Sequence, residues 1–359
     1  MVSVCAFGAW GMDILTRRSR VLSVILWTWL GVWAMNSYAS MWIQRYAPYT
    51  RIALSRELVM QGNLNAAVEG FRDVLRVHPQ NTVARVALAE TLERMRHADE
   101  AFQQYESAWR NDPRNPECGV GMARALAQKG QFSEAIKLAQ QDIQDAPDRR
   151  DFFPLLGWLL AEQKQFDKAI AAYEEALQIS PNDPYVHYVL GALNWQLGQY
   201  DPSVEHFSLA VRFKPDFAEA EFNLGLVLAR TGQFREAIGH YEQAARIKPD
   251  YVEAQNNLAW LLATVAPAEG GDPARAVTLA LQVCDRTGNR VPAYLDVLAA
   301  SYAAADRFSD AIATAQKVIE MARAAGQTEL VAQSEARLQL YRAGNAYRQP
   351  VHVTIPARP

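Results

Sequence analysis

The sequence predicts an all-α fold: a solenoid of about eight helical hairpins, closed by a C-terminal capping helix and preceded by one transmembrane helix. Three observations predict it. Six prolines recur at one period of 34 residues. Two apolar stretches at helical spacing fill each interval. One uncharged run of 23 residues lies ahead of them all.

The period is carried by Pro79, Pro113, Pro147, Pro181, Pro215 and Pro249. Twelve residues before each proline sits a small residue: Ala67, Ala101, Ala135, Ala169, Ser203 and Ala237. Eight before it is an aromatic, Phe71, Tyr105, Tyr173, Phe207 or Tyr241, with Ala139 the exception. Twenty-four before it is small again: Ser55, Ala89, Ala123, Gly157, Gly191 and Gly225. Small residues at these spacings mark places where two helices cross closely, and the aromatic is expected to fill the gap to the next repeat. Proline has no N–H and cannot continue a helix interior, so it opens the turn between repeats. One hairpin cannot bury its own apolar face, whereas stacked hairpins can.

Repeats open at residues 48, 82, 116, 150, 184, 218 and 252. The seventh is irregular, because Ala266–Asp272 (APAEGGD) adds about five residues between its helices, and Gly270-Gly271 predict a loop there. An eighth repeat follows near Pro292, with Ala299, Phe308 and Ala311 in register. Residues 327–343 read as a capping helix whose Glu335, Arg337 and Arg342 form a solvated face. Residues 344–359, with Pro350, Pro356 and Pro359, read as a loose tail. The organisation is therefore 1–20, an N-terminal segment; 21–43, a membrane anchor or signal peptide; 48–326, the solenoid; 327–343, the cap; and 344–359, the tail.

The repeat resembles the tetratricopeptide repeat (TPR) family. Its best copy is 218–251, where Leu224, Gly225, Gly232, Phe234, Ala237, Tyr241, Ala244 and Pro249 fall on the family's motif positions. The resemblance implies a right-handed superhelix that binds protein partners along a concave face lined by the first helix of each repeat. Reading the family's concave positions off this chain gives two kinds of surface. Repeats 2 and 3 carry Glu90, Glu93, Arg94, Glu117 and Arg124, a mixed-charge stretch. Repeats 4 to 7 carry Trp158, Tyr185, Tyr188, Trp195, Phe222 and Trp260. Tyrosine and tryptophan give large contact area at small entropy cost and concentrate at binding hot spots.

Two readings of these six rings stand side by side: packing between adjacent first helices, or a groove for an extended peptide or a helix. Aromatic rings also stack on sugars, which makes a glycan strand an alternative ligand. A clamp for acidic peptide C-termini, as some TPR proteins have, is poorly served, because Arg124, Arg230 and Asn256 are scattered over three repeats. Asn223 and Asn257 occupy the position of the asparagine ladder in O-linked N-acetylglucosamine transferases. Val189 and Val297 interrupt that ladder, so the two asparagines read as exposed polar residues near a helix end.

Composition narrows the function. A net charge of −3 with 21% charged residues gives no basic surface for nucleic acid. The cysteines, Cys5, Cys118 and Cys284, form no C-x-x-C pair, so no zinc or redox motif is expected. No nucleophile elbow, metalloprotease helix, P-loop or dinucleotide fingerprint occurs, and the chain does not read as an enzyme. No cofactor or metal is expected. His206 and His240 repeat one position in neighbouring hairpins, about 10 Å apart by helix spacing, which is too far for one metal ion.

The uncharged run, Val21 to Ile43, follows Arg17, Arg18 and Arg20. A helix needs about 20 apolar residues to cross a hydrocarbon core of roughly 30 Å. Trp27, Trp29, Trp33, Tyr38 and Trp42 suit bilayer interfaces. A retained anchor is the favoured reading, and a signal peptide cleaved after Ser37-x-Ala39 is the alternative. The arginines place the N-terminus in the cytoplasm and the repeats in a bacterial periplasm, on the outer side of the inner membrane. Met12 offers a second start that would give a more ordinary layout, MDILTRRSR followed by the apolar run. The expected function is a membrane-anchored scaffold that recruits or orients a protein partner. The alternative is an accessory subunit of membrane glycan-transfer or envelope-assembly machinery, since NNLAWLLATVAP and LQLYRAGNAYR resemble TPR tails of polytopic glycosyltransferases.

Overall fold

A computed structural model describes residues 48–145 and 152–350. These residues contain helices, one short 3-10 turn and no strand. The helices are α1 (48–60), α2 (Leu64–Val77), α3 (Thr82–Arg94), α4 (Ala98–Asn111), α5 (Pro116–Gln128), α6 (Phe132–Asp145), α7 (Phe152–Glu162), α8 (Phe166–Ile179) and α9 (Pro184–Gln196). They continue as α10 (Tyr200–Phe213), α11 (Ala218–Arg230), α12 (Phe234–Ile247), α13 (Val252–Thr264), α14 (Pro273–Arg286), α15 (Pro292–Ala304), α16 (Phe308–Ala324) and α17 (Thr328–Arg342). The expected anchor at 21–43 and the alternative start at Met12 lie outside the described residues. No described helix is long and apolar enough to cross a membrane.

Contacts divide the chain into two compact units, Met1–Leu155 and Leu156–Pro359. In the first, Ile52 of α1, Val68 and Phe71 of α2, and Ala87, Leu88 and Leu92 of α3 share one core. In the second, Phe207, Leu224, Phe234, Tyr241, Leu258 and Leu262 tie α10 to α13 in a continuous cluster. Leu295, Val318, Ala299 and Leu338 carry the core on through α15, α16 and α17.

The expected helix starts and stops have clear local causes. Asn115 and Asp183 cap α5 and α9 by accepting from backbone N–H groups, and Pro116 and Pro184 occupy the first helical turn, where a missing N–H costs nothing. Between the helices of a hairpin the chain turns through the left-handed region. Gly62, Gly130, Gly198 and Gly232 do so at φ between 75° and 84°, and Arg96 and Lys164 hold the same register at φ 62° and 56°. The 34-residue period is therefore also a period of backbone conformation.

The small and aromatic motif positions interlock within a hairpin. A Cβ built on Gly157, Gly191 or Gly225 would stand 2.7–2.8 Å from the ring of Tyr173, Phe207 or Tyr241. The aromatic thus seats first on the small residue of its own hairpin, where the sequence reading placed it toward the next repeat. The first unit uses both directions, because Tyr105 of repeat 2 also lies over Gly121 of repeat 3.

Two expectations for the C-terminal region are corrected. Arg337 is not on a solvated face. It is 8% exposed and pairs with Asp296 of α15 at 2.6 Å, while Ser334 donates to the same carboxylate at 2.8 Å. The tail is not loose over its first part. Ala346 and Tyr347 pack on the α15–α17 core, and Gln349 N–H donates to Thr264 O at 2.9 Å. An extended segment can stay ordered there because helix-end carbonyls and an aromatic ring supply partners for it.

Candidate functional site

The six aromatic residues expected to form a groove all lie in the second unit. Trp158 sits on α7, Tyr185, Tyr188 and Trp195 on α9, Phe222 on α11 and Trp260 on α13. Spacings of three and seven along α9 and of 34 between helices place them at equivalent register. Tyr185 is 56% exposed and the other five are half-buried. Tyr188, Trp195, Phe222 and Trp260 all pack against the core cluster that joins α10 to α13.

Second-shell partners explain how the rings are held. Phe217 lies between Tyr185 and Tyr188, with ring centroids 5.3 and 4.9 Å away. Tyr251 stands against Phe222 at 5.0 Å, one repeat further on. Trp195 leans on Tyr200 at 5.4 Å. Lys214 lies over both Tyr185 and Phe217, and Lys248 over Tyr251, so the KPDF and KPDY turns each supply one cation and one ring. Lys214 also donates to the Tyr185 hydroxyl at 2.6 Å, a charge-assisted bond that holds the lysine above the usual amine range. The packing and groove readings are thus both realised: Tyr188 and Phe222 are built into the joints between hairpins, while Tyr185 presents its ring outward.

The asparagines read as exposed are half-buried and bonded. Asn223 Nδ2 donates to the Tyr188 hydroxyl at 3.0 Å, and Asn257 bonds the Tyr241 hydroxyl. They fasten tyrosines of adjoining helices and are spent in doing so. Burial raises Tyr188 above the usual phenol range, with the Asn223 bond opposing it, and carries Tyr251 up to about 12. Both are neutral hydroxyls at physiological pH.

Sequence reasoning missed one polar device, because its members differ in type. The fourth residue of a repeat reaches back to the proline carbonyl of the preceding turn: Arg85 to Pro79, His187 to Pro181 and Gln255 to Pro249. Arg85 and His187 also meet the opposite helix of the hairpin at Gln104 and His206, and Glu221, at the same position, meets His240. His206 and His240 therefore pair within their own hairpins and not with each other. Only the register shared by Arg85, His187, Glu221 and Gln255 could have signalled this.

In the first unit the mixed-charge stretch is internally bonded. Tyr105 and Gln128 donate to the Glu93 carboxylate at 3.0 and 2.9 Å, and Arg124 stands 4.0 Å away. Burial and the neighbouring Glu117 raise the Glu90 carboxyl above its usual range. The thiols of Cys118 and Cys284 are free and buried, and burial lifts them to about 12 and 11, which disfavours thiolate chemistry. Among the described residues, no group of three or more His, Cys, Asp or Glu side chains could hold a metal ion.

Stacked antiparallel hairpins presenting a strip of rings from their first helices define a helical-repeat interaction protein. The chain carries tetratricopeptide repeats. Residues 157–198, 184–217 and 218–251 each match tetratricopeptide repeat families, and residues 40–152 match the protein kinase G tetratricopeptide repeat family. A search of curated proteins found no match. Solved structures share the fold. Pseudomonas aeruginosa PilF is 22% identical, with 60% of this chain and 98% of that one covered at a TM-score of 0.52. PilW, described as a widely conserved type IV pilus biogenesis factor, is 19% identical, with coverage of 59% and 98% at 0.54. The C-terminal part of a TPR protein from Cytophaga hutchinsonii is 17% identical, with coverage of 65% and 94% at 0.51.

Proposed function

We propose that the protein is a membrane-anchored scaffold that binds a protein partner, as a peptide or a helix, along the ring strip from Trp158 to Trp260. The observation that carries the reading is Tyr185: a large ring, 56% exposed, held in place by Phe217 and Lys214 and left with an open face. A preorganised ring loses little entropy when a partner covers it. Residues 21–43 would anchor the chain in a bacterial inner membrane and hold the repeats at the periplasmic surface. That part rests on the uncharged run and its arginine flank alone.

The test is a crosslinked pull-down from membranes with the full chain and with a Trp158→Ala, Tyr185→Ala, Trp195→Ala variant. Loss of a specific partner at unchanged helicity supports the strip as the binding surface, and equal recovery sinks it. Carbonate extraction tests the anchor separately, since release into the soluble fraction would remove that claim.

A further inference from the structure

The irregular seventh repeat does something its regular neighbours do not. In repeat 6, α11 ends in a tight turn in which Gly232 and Gln233 N–H groups return to Ala229 and Leu228 carbonyls. These bonds satisfy orphan acceptors at the helix end. At the end of α13 the chain instead leaves extended at Val265, φ −90° and ψ 162°, and enters the APAEGGD insertion. Asp272 N–H returns to Leu262 O, and the insertion contributes no other bond to the carbonyls that follow. Gly271 permits this path, since a Cβ there would stand 2.3 Å from Val265 O. The Ala263, Thr264 and Val265 carbonyls are left pointing away from the insertion, at the negative end of the helix dipole.

The C-terminal segment occupies these acceptors in extended form. Arg348 donates to Ala263 O and Val265 O at 3.2 and 3.3 Å. Gln349 N–H donates to Thr264 O, and its side-chain oxygen accepts the Trp260 indole N–H at 2.9 Å. Tyr347 lies against the Trp260 ring at 5.6 Å, inclined by 34°. Arg337 of α17, held by Asp296, covers both rings at 5.4 and 5.8 Å. Backbone acceptors, an indole donor and a flat cationic lid together form the recognition set of a peptide site.

We infer that Trp260, Arg337 and the α13 carboxyl end form a binding site for an extended peptide bearing an aromatic, a basic and an amide side chain in succession, and that Tyr347-Arg348-Gln349 is its resident intramolecular ligand. A partner peptide of this chemistry enters by displacing the tail. The tail has the advantage of a short tether, which gives it a millimolar effective concentration. The inference deepens the ring-strip reading at its Trp260 end only. Its test uses the chain's own peptide, so it can fail while the Tyr185 end still binds a partner.

The probe is the peptide GNAYRQP, residues 344–350, with the photoreactive benzoylphenylalanine in place of its tyrosine. It is added to the full chain and to a full chain carrying Tyr347→Ala, Arg348→Ala and Gln349→Ala, and crosslinks are mapped by mass spectrometry. At least tenfold more labelling of α13 and α17 is expected in the tail variant, and Trp260→Ala in that background should remove it. Equal labelling of both chains overturns the resident-ligand claim. Labelling no greater than that of a scrambled peptide overturns the site. A second measurement needs no variant: millimolar GNAYRQP should accelerate hydrogen exchange of the Gln349 amide in the native chain at least threefold, and an unchanged rate overturns displacement.

Discussion

His187 and His206 face each other Nδ1 to Nδ1 at 3.1 Å, across the hairpin formed by α9 and α10. The other nitrogen of His187 is 3.0 Å from Pro181 O, which can only accept, so Nε2 carries a proton. Neutral His187 therefore accepts at Nδ1, and His206 donates. Protonating His187 would set two N–H groups against each other.

This geometry gives a pH prediction. Burial first, and the facing His187 second, lower His206 below the usual imidazole range, with Glu205 opposing. A base whose folded pKa is depressed binds more protons when unfolded. Its contribution to stability is therefore complete above about pH 6.5 and is lost as pH falls through that value toward the folded pKa. Urea unfolding from pH 8 to 5 should show the native chain losing more stability than His206→Gln. Parallel curves would remove the pair from the pH response.

Gly191 and Gly239 are both helical, yet alanine should act oppositely at the two. At Gly191 the added Cβ meets the Phe207 ring at 2.8 Å, and the buried ring has no room to withdraw. Overpacking of this kind costs about 1–3 kcal/mol. At Gly239 nothing lies within 4 Å, so Gly239→Ala should stabilise by about 0.5–1 kcal/mol through helix propensity. Denaturant midpoints of the two variants should move in opposite directions.

The repeat architecture was legible because its determinants are steric and recur: a small residue under a ring, a proline after a helix, glycine in a turn. The site was legible only in part. Register placed Trp158, Tyr185, Tyr188, Trp195, Phe222 and Trp260 on first helices, but their exposure depends on residues from other elements, such as Phe217 beside Tyr185 and Tyr347 beside Trp260. Arg337 read as solvated because helix periodicity does not reveal a carboxylate 41 residues away on α15. The docked tail was missed for the same reason. Its acceptors are backbone carbonyls, which no side-chain pattern records.

Arg96 and Lys164 mark two turns where the sequence departs from what the backbone asks. Four other repeats place glycine at this register, and these two hold φ 62° and 56° with a side chain. The left-handed region costs an L-residue about 1–2 kcal/mol, while glycine adds unfolded-state entropy of about 0.5–1 kcal/mol. Arg96→Gly and Lys164→Gly should each stabilise by several tenths to about 1 kcal/mol. A lowered midpoint for both in thermal unfolding would show that the side chains contribute more than the backbone loses.

The ion pair between Asp296 and Arg337 should be the most sensitive polar contact of the second unit. Both side chains are at most 10% exposed, and Ser334 donates to the remaining carboxylate oxygen. Burial nonetheless outweighs the partners and raises the Asp296 carboxyl above its usual range. The pair is held at a desolvation cost that only its full set of partners offsets. Removing Arg337 alone leaves a carboxylate buried without its cation, so Arg337→Met should destabilise by about 3–5 kcal/mol. The double variant Asp296→Leu, Arg337→Met removes both charges together and should recover most of that loss. Arg337 also covers the Trp260 and Tyr347 rings, so the single variant should speed hydrogen exchange at Gln349 as well. A double-mutant cycle in urea with a coupling energy below about 1 kcal/mol, the range of surface pairs, would mean that the pair is solvated in the folded chain.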